Sequence, residues 1–438
     1  MKRSIIVALA CLLVGGGGLS ASGARAASHQ NASTKPPKLK KNVSLSMWNF
    51  FANTDPEYAA QQGVLTALDK KYTIKVGNIQ NPSNPANKFQ LGAPTGNAPD
   101  LLGVPHDQVA QLVSAKVVAP VPAWAWSSAD QKKYISAAVK AATLSGHPYA
   151  MPWAIETTGL FYNKALISTS AFKPAKGDKY LRWSTLLPRL QKLTDLGAQK
   201  YGFVMDMDNF YYDYAFLSGE GGYVFKYVKG KGFNWQQVGL GSSAAVKAIQ
   251  FYADLSTSGK YKLVPPSINT TTADGLFQAG KAAVEWTGPW NEGNFRSKNI
   301  NFGFAPLPSF DGKHPMRPFS TVQMYLVNKF SKNVNESFAA LKYITQNMEL
   351  PVFKAAGRIP VIKSDLASKT VQGNSLAKQL AAAALAADPI PNIPEMNAVW
   401  TPAAADWQQV ALGKASAQAA AAASLKDVQS AITKMHGG

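Results

Sequence analysis

Val43 to Val76 reads VSLSMWNFFANTDPEYAAQQGVLTALDKKYTIKV. Val43-Ser44-Leu45-Ser46-Met47 alternates apolar and polar residues, as a half-buried strand does. Thr54 or Asp55 can cap a helix that begins at Pro56, and Leu65 and Leu68 supply its buried stripe. Tyr72-Thr73-Ile74-Lys75-Val76 alternates again. Strand, helix and strand within so short a span make a βαβ unit, which requires a parallel pair and a right-handed crossover.

The same grammar runs outward from this unit. Leu101 to Val104 is apolar throughout, as a strand buried on both faces would be, and Gln108 to Ala115 follows as a short helix. Val246, Ile249 and Tyr252 mark a helix expected to stop at Gly259. Phe338, Leu341 and Ile344 or Tyr343 mark another between Ser337 and Gln346. Leu380 to Ala387 and Ser424 to Met435 complete an alanine-rich, helical end. At 438 residues, 46% of them hydrophobic, the chain can bury two α/β cores rather than one.

Lys2 and Arg3, the apolar run Ile5 to Val14 and Ala24-Arg25-Ala26 read as an export signal over residues 1–26. The run is too short to span a bilayer. Cys11, the lone cysteine, offers a rival reading as a lipid-anchored first residue, but Ala8-Leu9-Ala10 is a weak match for lipidation; cleavage after Ala26 is preferred. Residues 27–41, with Pro36-Pro37 and Lys35, Lys38, Lys40 and Lys41, form a basic linker. Loss of residues 1–26 removes Lys2, Arg3 and Arg25 and no acids, leaving 42 basic against 25 acidic side chains, or +17. The cations are spread thinly, without an arginine-rich stretch or basic helix, so no nucleic-acid partner is expected.

The five histidines, His29, His106, His147, His314 and His436, show no metal-ligand spacing, and no metal or other cofactor is expected. HExxH, G-x-S-x-G and P-loop motifs do not occur. An enzyme built on this chain would have to work through carboxylates, of which there are few.

Several segments resemble the extracellular solute-binding proteins of carbohydrate ABC importers, in particular the maltose/maltodextrin-binding branch. They are Ala98-Pro99-Asp100 with Pro105-His106-Asp107, Tyr149 to Lys164, Gly221-Gly222-Tyr223-Val224-Phe225 and Phe277 to Ala283. Thr287-Gly288-Pro289-Trp290 and Pro391 to Met396 with Trp400 complete the series, so the likeness runs from about Val43 to Lys434. It implies a two-lobed, type II periplasmic-binding-protein-like fold, α/β, with a helix-flanked sheet in each lobe and the ligand between lobes. The implied division is 42–153 and 322–343 for the N-lobe, and 154–321 and 344–438 for the C-lobe. Crossings are expected near Trp153–Glu156, Ser320–Val322 and Leu341–Thr345. The implied partners are a maltose- or maltotriose-like oligosaccharide and membrane permease subunits, and a monomer is expected on the outer face of the membrane or in the periplasm.

A pyranose offers apolar C–H faces to aromatic rings and an equator of hydroxyls to planar Asp, Glu and Asn groups. Trp290, after Gly-Pro, and Trp400, after a Pro-rich turn, match stacking positions of the family, as does Tyr211; the two tryptophans have core packing as their alternative. Asp107 stands at a strand-to-helix turn, as a hydroxyl ligand or as a helix cap. Glu156 sits between apolar neighbours in an expected hinge strand, a poor place for a solvated acid. Asn209, or Asp208, stands where the family has another carboxylate, and Gln108 where it has an arginine. Trp153 divides evenly between stacking and packing. Val104 replaces a family tryptophan, Ala404 an arginine, and the Phe51 to Asp55 loop lacks an Asp-Lys pair, which leaves ligand length and anomer open. Against a transport receptor stands a secreted glycosidase with Asp107 and Glu156 as its carboxylate pair; whole-chain resemblance favours the receptor.

Overall fold

The computed structural model describes residues 35–437. The expected signal, Cys11 and the first part of the linker lie outside the described residues. β1 (Val43–Asn49), α1 (Pro56–Tyr72) and β2 (Ile74–Gln80) form the expected unit, with Val43 paired to Ile74 and Met47 to Asn78 in parallel. Pro56 starts α1 with a preset φ. Asp55 occupies the cap position, yet its carboxylate accepts from the Ala52 N–H (2.8 Å) rather than from the helix. Leu65 and Leu68 are buried against the sheet, and Thr73 closes the helix in a left-handed conformation (φ 54°).

β3 (Leu101–Pro105) extends this sheet on the other side of β1. A long strand, Phe319–Val327, then pairs antiparallel with β3 along one edge and with Met151–Thr157 along the other. All seven residues of Met151–Thr157 are buried. After Thr158 the chain enters Gly159–Asn163, a central strand of a second, mixed sheet completed by Val204–Met205, Val284–Thr287 and Phe302–Ala305. The molecule is thus two-lobed α/β, and one sheet hands over to the next through the pair Met151–Thr157 and Phe319–Val327. The terminal helices Trp400–Ala411 and Ala417–Met435 pack on Phe210–Gly219 and Ser243–Asp254, at the second sheet.

The crossing expected near Leu341–Thr345 is not a strand. Val334–Asn347 is one helix without a break, and Glu349–Ala356 after it packs on α1 beside the first sheet. Phe338, Leu341 and Ile344 recur at helical spacing and are buried, so a boundary between 343 and 344 would cut a continuous apolar stripe. The helix marked by Val246, Ile249 and Tyr252 ends at Asp254, short of Gly259, because Leu255 and Leu263 turn inward to pack. Among the described residues no helix is long and apolar enough to cross a membrane.

Candidate functional site

A cleft of about 620 Å³ opens where the two sheets meet. Seven of the eight residues singled out from the sequence line it: Asp107, Gln108, Glu156, Asn209, Tyr211, Trp290 and Trp400. The eighth, Trp153, does not. It is 1% exposed and packs with Phe50, Phe51 and Tyr325 at ring separations of 5.7–6.2 Å. Both faces of its strand are buried, so burial gave no sign of which face points to the cleft.

Each wall residue is placed by local chemistry. Asp107 lies in the turn after β3, half a turn before Val109–Ser114, and makes no capping bond to that helix. Its Oδ1 is buried and has no protein partner. Burial pushes the Asp107 carboxyl up to about 7, against smaller opposing hydrogen bonds from its own backbone and the Trp400 side chain. Asn209 caps Phe210–Gly219 through its Oδ1, which accepts from the Tyr211 N–H (3.1 Å). Tyr211 is thereby held at the first turn, its hydroxyl 3.1 Å from Thr321 Oγ1 on the long strand and its ring 6.4 Å from Trp290. Trp290 folds back over Gly288, where any Cβ would strike the indole. Trp400 opens the Trp400–Ala411 helix and meets Phe319 edge-on at 5.9 Å.

Glu156 is 1% exposed and is the centre of a network. It accepts from Gln323 Nε2 (3.0 Å) and pairs with Arg358, which also pairs with Glu57 of α1 (3.1 Å). Burial works to lower the Arg358 proton affinity, but Glu156 and Glu57 outweigh it and push the guanidinium up, so Arg358 stays charged. A buried cation flanked by two acids satisfies the requirement that buried charge be paired. Arg358, Gln323, Thr321, Asn291 and Asn294 line the cleft and escaped the sequence reading. Thr321 and Gln323 carried a usable signal, because residues two apart on a strand share a face. Arg358 carried a weaker one, an arginine between Gly357 and the apolar Ile359-Pro360.

This wall presents ring faces and hydrogen-bond acceptors to the cleft. Three half-buried rings, Tyr211, Trp290 and Trp400, come from three elements. Three buried acceptors without protein partners, Asp107 Oδ1, Gln108 Oε1 and Gln323 Oε1, stand among them. Buried acceptors left unpaired cost free energy, which a hydroxyl-bearing ligand can recover.

Comparison with known proteins bears on the family and the overall fold. A protein of Bacillus subtilis, the galactooligosaccharide-binding protein, is 29% identical over 390 residues, covering 85% of this chain and 87% of its own. The maltodextrin-binding protein of the same organism is 28% identical over 365 residues, covering 82% and 84%. Among solved structures, the Thermus thermophilus maltotriose-binding protein bound with maltotriose superposes with a TM-score of 0.80 at 29% identity, covering 89% of this chain and all of that one. The maltose-maltodextrin binding protein of Alicyclobacillus acidocaldarius gives 0.77 at 29% identity, covering 88% and 100%. Residues 57–379 match the family model of the bacterial extracellular solute-binding protein, and the chain belongs to that family.

Proposed function

We propose that the protein is the substrate-binding component of a carbohydrate ABC importer and holds a maltodextrin of two or more glucose units in the interlobe cleft. The observation that carries this reading is the convergence of Tyr211, Trp290 and Trp400 with unpartnered acceptors in one cleft. Rings from separate elements can stack on successive sugars, while Asp107, Gln108 and Gln323 take hydroxyl protons. The lobes close on the ligand by rotation about Met151–Thr157 and Phe319–Val327, the strands that join the sheets. The protein presents its cargo to membrane permease subunits from the extracellular side.

Calorimetry against maltotriose, glucose and a galactooligosaccharide tests the ligand class. Maltotriose is expected to bind at about micromolar affinity or better, about −8 kcal/mol, and glucose far more weakly. Preference for the galactooligosaccharide would move the ligand class toward that of the first relative; tight binding only of a monosaccharide or peptide would overturn the reading.

A glycosidase reading draws on one observation, the raised Asp107 carboxyl, which is what a general acid needs. The partner acid speaks against it. Both oxygens of Glu156 already accept, from Arg358 and from Gln323, which holds the carboxylate in the protein's own ion-pair network. Incubation with maltotriose is expected to release no glucose.

A further inference from the structure

We infer that the protein carries a second small-molecule site, behind the hinge strand, that takes an anion with an apolar aromatic body. Along Phe319–Val327 side chains alternate. Thr321 and Gln323 face the cleft described above, while Ser320 and Val322 line a different cavity of about 820 Å³. Phe319 is part of the wall between the two. It stacks face to face on Tyr214 at 3.7 Å and meets Trp400 edge-on at 5.9 Å.

The walls of the rear cavity define its ligand. The first lobe supplies the helix Ser136–Ala142, and the second supplies the hairpin of Phe225–Val228 and Gly232–Val238. Tyr223, Phe225, Tyr227 and Phe233 present aromatic surface, and Tyr227 is 60% exposed at the mouth. Ala137, Ala141 and Ala384 also line the cavity and add little bulk to its wall. Aromatic and apolar lining is the usual character of a small-molecule pocket.

Charge completes the description. Asp388 is already engaged, by Arg317 (3.1 Å) and by the Tyr214 hydroxyl (2.8 Å). Lys140 and Lys226 also line the cavity and form no ion pair among the described residues; Lys226 lies over the Tyr223 ring at 5.1 Å. Two ammonium groups without an ion-pair partner and aromatic walls suit a carboxylate on an aromatic body better than a neutral sugar. The inference stands apart from the sugar reading, because only Ile390 lines both cavities.

The probe is 4-phenylbutyrate, titrated calorimetrically into the full chain, with the neutral 4-phenylbutan-1-ol as its control. One saturable site per chain is expected, with the alcohol weaker by about tenfold or more, which is about 1.4 kcal/mol. Lys140→Glu with Lys226→Glu, both at exposed positions, is expected to cost a similar factor, and Ala137→Trp to crowd the cavity and abolish binding. Melting temperature shows that these variants are folded. Trp290→Ala, which alters the front cleft and touches no residue of the rear lining by ring contact, is expected to leave the probe affinity within about twofold. Absence of saturable binding, equal binding of the alcohol, or loss in Trp290→Ala with retention in the lysine variants would each overturn the second site.

Discussion

Asp107 is where the demands of folding and of recognition pull apart. In the unfolded chain its carboxyl ionises near 3.8, and burial in the fold raises that to about 7. A group with a raised folded value contributes stability that is complete below the unfolded value and is lost as pH rises through the folded one. Asp107→Asn is therefore expected to raise the melting temperature of the ligand-free protein at pH 8 while weakening sugar binding. Hydroxyls that donate to Asp107 favour its carboxylate, so binding should release a proton near neutral pH. Affinity is expected to fall as pH drops below about 7, and the binding enthalpy to differ between buffers of unlike ionisation enthalpy. A buffer-independent enthalpy near neutrality would remove Asp107 from ligand contact. Trp400 allows a cleaner separation. As a half-buried ring at the cleft, Trp400→Ala is expected to cost about 1–3 kcal/mol of maltotriose affinity. A collapse in melting temperature with undiminished affinity would make it a core residue.

At the scale of elements, the turn Thr287-Gly288-Pro289-Trp290 ends a strand and returns an indole over its own backbone. The ring can lie there because Gly288 has no side chain, although its φ of −119° is open to any residue. Gly288→Ala is thus expected to displace Trp290 and weaken maltotriose by about tenfold, about 1.4 kcal/mol, with little change in melting temperature. Unchanged affinity would show that Trp290 does not stack on the ligand. This turn was legible in the sequence because its chemistry is local: Gly, Pro and Trp are consecutive. The βαβ unit was legible for the same reason, its periods being written within neighbouring residues. Arg358 was not. Its partner Glu156 is 202 positions away, and no local pattern reports a pairing over that distance. Trp153 was undecidable for a different reason. Its strand is buried on both sides, so the alternation that would assign a face is missing. The crossing expected at Leu341–Thr345 came from likeness alone, and the helical stripe in the same residues was the better guide.

For the whole molecule, the carboxylates decide the response to acid. Burial raises Asp107, Asp213, Asp274, Glu285, Glu292, Glu349, Asp365 and Asp406 above their ordinary range. Asp130, Asp178 and Asp311 are lowered instead: burial opposes this at Asp130 but is outweighed by hydrogen bonds from Lys133 and Ser127, while hydrogen bonds from Arg182 lower Asp178 and those from His314 and Lys313 lower Asp311. The raised group stabilises the fold below ordinary carboxylate values and loses that contribution as pH rises. The lowered group contributes above those values and loses it as pH falls. Above ordinary carboxylate values the lowered groups contribute in full, so from mildly acidic to neutral pH only the raised set changes, together with His106. Burial lowers that imidazole to about 4, while its Nδ1 accepts from the Val322 N–H and its Nε2 meets the Ile390 carbonyl. Its contribution is lost as pH falls from about 6.5 toward about 4. Calorimetric melting is expected to give a higher temperature at pH 5 than at pH 8, with sugar affinity failing before the fold does. A melting temperature that climbs steadily from pH 5 to pH 8 would reject this balance.

The helices Trp400–Ala411 and Ala417–Met435 cover a lobe whose sheet was begun at Gly159. Synthesis delivers that covering last. The order of elements along the chain is thus also a timetable, in which the flank of the second lobe closes only after the sheet beneath it has been made.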